Sequence, residues 1–177
     1  MTEDKLILVD LLDRPVGKAD KLPCHQKGLL HRAFSIVLTR EGSAGTEVLL
    51  ARRAEGKYHS GGLWTNSCCS HPRVGEELGE AVVRRLKEEL GVRDVACREV
   101  GTLVYRAVFD NGLTEYELDH VFVGAYDGPL SADPSEVSEV GWMGADELVA
   151  QLTERPQDFT VWCPAVTALA LRSLTHR

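Results

Sequence analysis

Apolar and polar positions alternate along this chain with two different periods. Residues 6–9 form a short apolar run, residues 33–40 alternate in part, and residues 48–52 resume a strand pattern after Glu41-Gly42-Ser43-Ala44-Gly45. The glycines of that segment suit a hairpin connection. Residues 101–109 and 114–126 flank Asp110-Asn111-Gly112, and Asn-Gly between apolar runs is the strongest short-range hairpin signal. Between the hairpins the period changes. Leu78, Val82, Leu86 and Leu90 recur every fourth residue, which predicts a helix over 76–90 with a drifting apolar stripe and a stop at Gly91. After a loop over 127–134, the pattern predicts a strand over 137–143, a helix starting near Asp146 and a last helix opened by Pro164. Strands and helices mix without repeated βαβ units, so the expected class is α+β with a mixed sheet, in a single domain over 1–177.

Two places break their own pattern. At 100° per residue, Arg85 lies roughly 20° to one side of Leu78 and Glu89 roughly 20° to the other, so both charges point where the apolar stripe points. A charge taken out of water requires a partner or a metal. Along 114–126, the two-residue period puts Glu115, Glu117 and Asp119 on one face and Tyr116, Leu118, His120 and Phe122 on the other. Stacked carboxylates repel, so either water or a shared cation must face Glu115 and Glu117. His25, His31 and His71 lie near glycine, cysteine or proline and beside turns, and imidazole with carboxylate suits zinc, manganese or iron(II) better than calcium. The stretch over 61–72 packs glycines, Trp64, Cys68, Cys69 and His71 together. Its thiols could be buried hydrophobes, zinc ligands or reactive groups.

Composition narrows the ligand. The chain is 44% hydrophobic and 27% charged with a net charge of −7, an ordinary globular balance that repels a polyanion such as DNA. An anionic ligand must therefore be small and met by a local basic pocket. The acidic start and its short apolar run do not make a signal peptide, and no run reaches the ~20 apolar residues of a membrane span. Five cysteines, two of them adjacent, suit reduced thiols in a cytoplasmic setting.

The run Trp64-Thr65-Asn66-Ser67-Cys68-Cys69-Ser70-His71-Pro72, then Gly75-Glu76, then Arg84-Arg85-Leu86-Lys87-Glu88-Glu89-Leu90-Gly91 closely resembles type I isopentenyl-diphosphate isomerase. The likeness runs in order from the first strand to at least Trp162. The same stretch is a degenerate Nudix box, with Ser70 in place of the first Gly and Arg85 in place of the Glu after Arg84. That glutamate serves the metal of Nudix hydrolases, and an arginine cannot replace it as a ligand, which fits an enzyme that leaves its diphosphate intact.

The resemblance implies a Nudix-like mixed sheet sandwiched between helices. It implies a divalent transition ion, Mn2+ or Zn2+, on His25, His31, His71, Glu115 and Glu117, although the segment between His25 and His31 is one residue shorter than in some relatives. It implies a Mg2+ shared by Glu89, the backbone carbonyl of Cys69 and the substrate. Lys21, Arg53, Lys57 and Arg85 resemble the diphosphate-binding side chains. Cys69 and Glu117 are similar to the acid/base pair that converts isopentenyl diphosphate to dimethylallyl diphosphate, with Glu117 and its relay Tyr105 on the donor side and Cys69 as base. Trp162 would face the intermediate carbocation. Cys68, Cys24, Cys97, Cys163 and Trp142 are expected to pack, and His59, His120 and His176 to lie outside the site. A monomer or weak homodimer is expected, with neither nucleic acid nor membrane as partner. The rival readings are a Nudix-type diphosphate hydrolase and a zinc-binding interaction module built on Cys24, His25, Cys68, Cys69 and His71.

Overall fold

The computed structural model describes residues 5–175, so His176 lies outside the described residues. Both expected hairpins are present. β3 (His31–Gly42) and β4 (Gly45–Arg53) pair antiparallel through a turn at Gly45, whose φ is 119°. β7 (Cys97–Val108) and β8 (Thr114–Ala125) pair antiparallel beyond Gly112, at φ 81°; both glycines adopt backbone that side chains disfavour.

Several elements escape the pattern reading. β1 (Lys5–Val9) pairs with β2 (Pro15–Asp20), whose side chains are exposed on both faces and show no apolar period. α1 (Lys21–Lys27) is seven residues long, too short to display a stripe. β5 (Trp64–Asn66) and β6 (Cys68–Ser70) have three residues each. α2 (Leu78–Leu90) begins two residues later than expected. Glu76 is occupied outside the helix, accepting the Arg73 N–H at 2.8 Å and both Arg84 Nε and Nη2 at 2.6 and 2.8 Å. The stop at Gly91 is as expected. Its φ is 67°, its N–H reaches Lys87 O, and the Val92 N–H reaches Leu86 O, satisfying the last carbonyls.

β3 is the hub of the mixed sheet. It runs parallel to β8 over His31–Thr39 and antiparallel to β1, β4 and β6. β4 also pairs with β5 and with β9 (Val137–Gly144). Alternation along β3 and β8 splits the core between two faces. Phe34, Ile36, Leu38 and Phe122 pack against Leu86 and Leu90 of α2. On the other face Val37, Val121 and Val123 pack with Leu148 of α3 (Ala145–Glu154) and Val166 and Ala170 of α4 (Cys163–Thr175). Each fully buried Leu or Val contributes about 2 kcal/mol of apolar transfer. Helices thus cover both faces of the sheet, and among the described residues none is long and apolar enough to cross a membrane.

Candidate active site

Strand register brings the candidate residues together. The parallel β3–β8 pairing sets His31 beside Glu117, the β7–β8 pairing sets Tyr105 beside Glu117, and the β3–β6 pairing sets Cys69 beside Ser35. His25 comes from inside α1 rather than from a turn, and His71 follows directly on β6. Glu115, Glu117 and Asp119 are buried, so their shared face is not a solvated one.

His25, His31, His71, Glu115 and Glu117 each offer a ligand atom within 4.8 Å of all the others. His71 Nε2 lies 2.8 Å and His31 Nε2 3.4 Å from the same oxygen of Glu117, and the two nitrogens are 3.2 Å apart. His31 Nδ1 donates to Leu29 O at 2.9 Å, which turns Nε2 toward the carboxylate. Both nitrogens of His25 and Oε2 of Glu115 are buried without a hydrogen bond, although His25 Nε2 is 3.2 Å from that oxygen. Electron-pair donors converging out of water need a proton or a cation between them. Burial opposes the charge on His31, but Cys24 and Glu117 outweigh it and raise the ring to about 11, whereas burial holds His71 at about 4. Burial also works against the charge of Glu117, yet bonds from His31 and His71 keep it below the usual carboxylate range. Three imidazoles and two carboxylates are a donor set for a divalent ion.

The cations lie in the same cleft. Lys21, Arg53, Lys57 and Arg85 line a cavity of about 260 Å³ together with Cys69, Tyr105, Glu117 and Trp162. Arg85 ion-pairs with Glu89, as its angle on the helix implied, and lies 3.4 Å from Glu136. Lys57 ion-pairs with Glu136 as well. Burial raises Glu89 despite Arg85, and burial lowers Lys21. Arg53 Nε and Arg85 Nε are buried with no hydrogen-bond acceptor among the described residues.

The indole of Trp162 touches both sides of the expected acid/base pair. Its Nε1–H points at Cys69 Sγ (3.2 Å) and Thr65 Oγ1 (3.1 Å), and its ring lies 5.8 Å from that of Tyr105 at 30°. Tyr105 OH donates to Glu117 Oε2 at 2.6 Å. The Cys69 thiol donates to Asn66 Oδ1 at 3.1 Å, and that amide is oriented by its own donations to Ile36 O and Cys68 O. Burial and Asp119 push the thiol up to about 12.

Other sequence expectations sort clearly. Cys68 is buried in the core against α2. Cys24, expected only to pack, has its sulfur 3.4 Å from His31 Nδ1, behind the cluster. No cysteine supplies an atom to the cluster among the described residues, which removes the basis of the zinc-module reading. Trp142 is partly buried against the core and stacks under Arg40 at 4.3 Å. His120 lies on the opposite sheet face, between Asp13 and Glu99. His59, expected outside the site, is a correction: it is buried in the cleft with Nε2 2.5 Å from Glu115 Oε1. His59 and Glu136 sit outside any periodic element, where alternation carries no signal for an inward side chain.

Comparison with known proteins agrees with this architecture. The NUDIX domain profile matches residues 29–163. An isopentenyl-diphosphate Delta-isomerase of Burkholderia multivorans is 48% identical, with 99% of this chain and 97% of that protein covered. One from Photobacterium profundum is 43% identical over 99% and 98%. Among solved structures, a Deinococcus radiodurans protein superposes with a TM-score of 0.76 at 20% identity, covering 93% of this chain and 98% of that one. A MutT protein of Methanosarcina mazei gives 0.64 at 17%, covering 84% and 96%; these two speak for the fold alone. Since isomerases match it end to end at close to half of all positions, the chain belongs to the isopentenyl-diphosphate Delta-isomerase family and is built on the Nudix fold.

Proposed function

We propose that the chain, acting as one domain, moves the double bond of isopentenyl diphosphate to give dimethylallyl diphosphate. A proton is added at C4, a tertiary carbocation forms at C3 and a proton leaves C2. The observation that carries this reading is the cleft itself: a thiol at Cys69 and a Tyr105–Glu117 pair, both in contact with one indole. Acid and base at separate points of one cleft are what a proton-in, proton-out reaction needs. The Trp162 ring supplies a π face for the cation, worth about 2 kcal/mol when desolvated. The buried walls keep out water, which would otherwise trap the cation as an alcohol.

Lys21, Arg53, Lys57 and Arg85 anchor the diphosphate, with the unpartnered Nε atoms of Arg53 and Arg85 free to donate. His25, His31, His71, Glu115 and Glu117 would hold Mn2+ or Zn2+, and Glu89 with the Cys69 carbonyl would hold Mg2+; when bound, these ions neutralise the carboxylates and the diphosphate charge. For Glu117 to donate and Cys69 to accept, one proton must first pass from thiol to carboxylate, because burial and Asp119 hold the thiol protonated. The opposite assignment starts from the free state as it stands. Since the isomerisation is reversible, each protonation state is the starting point of one direction.

The hydrolase reading rests on the Nudix fold. Arg85 opposes it, since a guanidinium paired with Glu89 stands where a water-activating metal needs a carboxylate. Five free thiols fit a reducing, cytoplasmic compartment, and a monomer or weak homodimer is the state we propose. The test is incubation with isopentenyl diphosphate in D2O, followed by NMR of the prenyl chain beside a phosphate-release assay. Deuterium in the product's methyl group without phosphate is expected. Stoichiometric phosphate with an undeuterated skeleton would overturn the isomerase reading.

A further inference from the structure

We propose that His59 is a positioning residue of the His/Glu cluster: its Nε2–H holds one oxygen of Glu115 so that the other is presented to the metal ion. This rests on the reading of that cluster as a divalent-ion site. The two cluster carboxylates are treated alike. Glu117 gives Oε2 to the Tyr105 hydroxyl at 2.6 Å and turns Oε1 toward His71 and His31. Glu115 gives Oε1 to His59 at 2.5 Å, and its Oε2 is the buried oxygen with no hydrogen bond, 3.2 Å from His25 Nε2 and 3.8 Å from His31 Nε2. Each carboxylate is therefore fixed by one donor outside the five ligands and keeps a single oxygen for the cluster.

The surroundings of His59 fix its ring as a ligand-orienting group requires. The ring stacks on Phe109, with centroids 4.4 Å apart and planes 10° from parallel, and stands edge-on to Trp162 at 6.0 Å. Nδ1 lies 3.2 Å from Ser60 Oγ, so with the hydroxyl donating, the ring proton falls on Nε2, facing Glu115. The loop is tied down on both flanks of the ring. Asn111 Nδ2 donates to Tyr58 O at 2.7 Å and Arg53 Nη2 to His59 O at 3.2 Å. Groups that orient a metal ligand typically change metal affinity 10- to 100-fold when removed.

The test is a chelator competition for Mn2+ and for Zn2+ on the full-length chain, with apo-protein thermal midpoints measured alongside. His59→Phe keeps the stack on Phe109 and removes the N–H; it should weaken metal binding about 10- to 100-fold while the apo midpoint stays close to the parent's. His59→Gln restores a donor of similar reach and should return affinity to within a few-fold. Parent-like affinity in His59→Phe, or equal losses in both variants, overturns the proposal. Glu115→Gln is the companion measurement. If it weakens binding while His59→Phe does not, only the role of His59 fails; if Glu115→Gln also binds metal as the parent does, the metal reading of the cluster fails.

Discussion

Around His31, three imidazoles and two carboxylates converge, whereas Arg85 and Lys57, across the same cleft, face the carboxylates of Glu89 and Glu136. The first region gathers metal-ligand atoms and the second pairs its cations with carboxylates. An arriving divalent ion would bind the first, relieving the repulsion of Glu115 and Glu117. An arriving diphosphate would instead have to exchange partners in the second, taking Arg85 and Lys57 from carboxylates that hold them. The contrast teaches that one cleft can be preassembled for a cation and self-neutralised against an anion. Removing a residue should have opposite consequences in the two regions.

The largest expected effect lies where the regions meet, at Cys69. Cys69→Ala should lower turnover on the order of 10⁴-fold, the upper range for a lost acid/base group, with an unchanged circular dichroism spectrum. Cys68→Ala, which trims a sulfur buried against α2, should stay within a few-fold. Equal losses in the two variants would move the chemistry away from Cys69. Next comes the His/Glu cluster. The His31→Ala, Glu117→Gln double variant should retain roughly a tenth or less of the parent's bound metal, since the remaining ligands cannot close the site. Full metal content by elemental analysis would break the comparison at its first half.

A smaller effect separates shape from electrostatics at Trp162. Phe keeps a π face and Leu keeps only apolar bulk, so Trp162→Phe should exceed Trp162→Leu in turnover by about 30-fold, the equivalent of ~2 kcal/mol of cation–π attraction. Equal rates would reduce the indole to a wall.

The sequence made the charge conflicts legible because they sit on periodic elements. The two-residue period of β8 puts Glu115 and Glu117 on one face, and the turn angle of α2 points Arg85 and Glu89 inward; both hold in the structure. The hairpins were legible for a different reason, since Asn111-Gly112 and Gly45 mark their turns by backbone preference. The parallel pairing that brings His31 against Glu117 was not, because it joins distant segments without a turn between them. β2 gave no signal, being exposed on both faces. His59 escaped because its orientation is set by Phe109 and Ser60, contacts that exist only once the loop and the hairpin meet.

Glu136 is the residue through which the balanced half of the cleft can be tested most finely. Its carboxylate pairs with Lys57 and approaches Arg85, and although burial works against its charge, Lys57 keeps it below the usual glutamate range. If it acts as a stand-in anion, Glu136→Gln frees both cations and inorganic pyrophosphate should bind more tightly. The pair is partly exposed, with 29% of the Glu136 side chain and 22% of that of Lys57 accessible, so screening limits the gain to about 1 kcal/mol or less, roughly a fivefold lower Kd. The gain should shrink as salt is added, because mobile ions screen partly exposed charges. If Glu136 instead holds the two cations in position for the diphosphate, its loss lets them spread, and affinity falls. Isothermal titration with pyrophosphate at low and high salt reads the sign directly: tighter binding supports self-neutralisation, and weaker binding would recast Glu136 as a scaffold for Lys57 and Arg85.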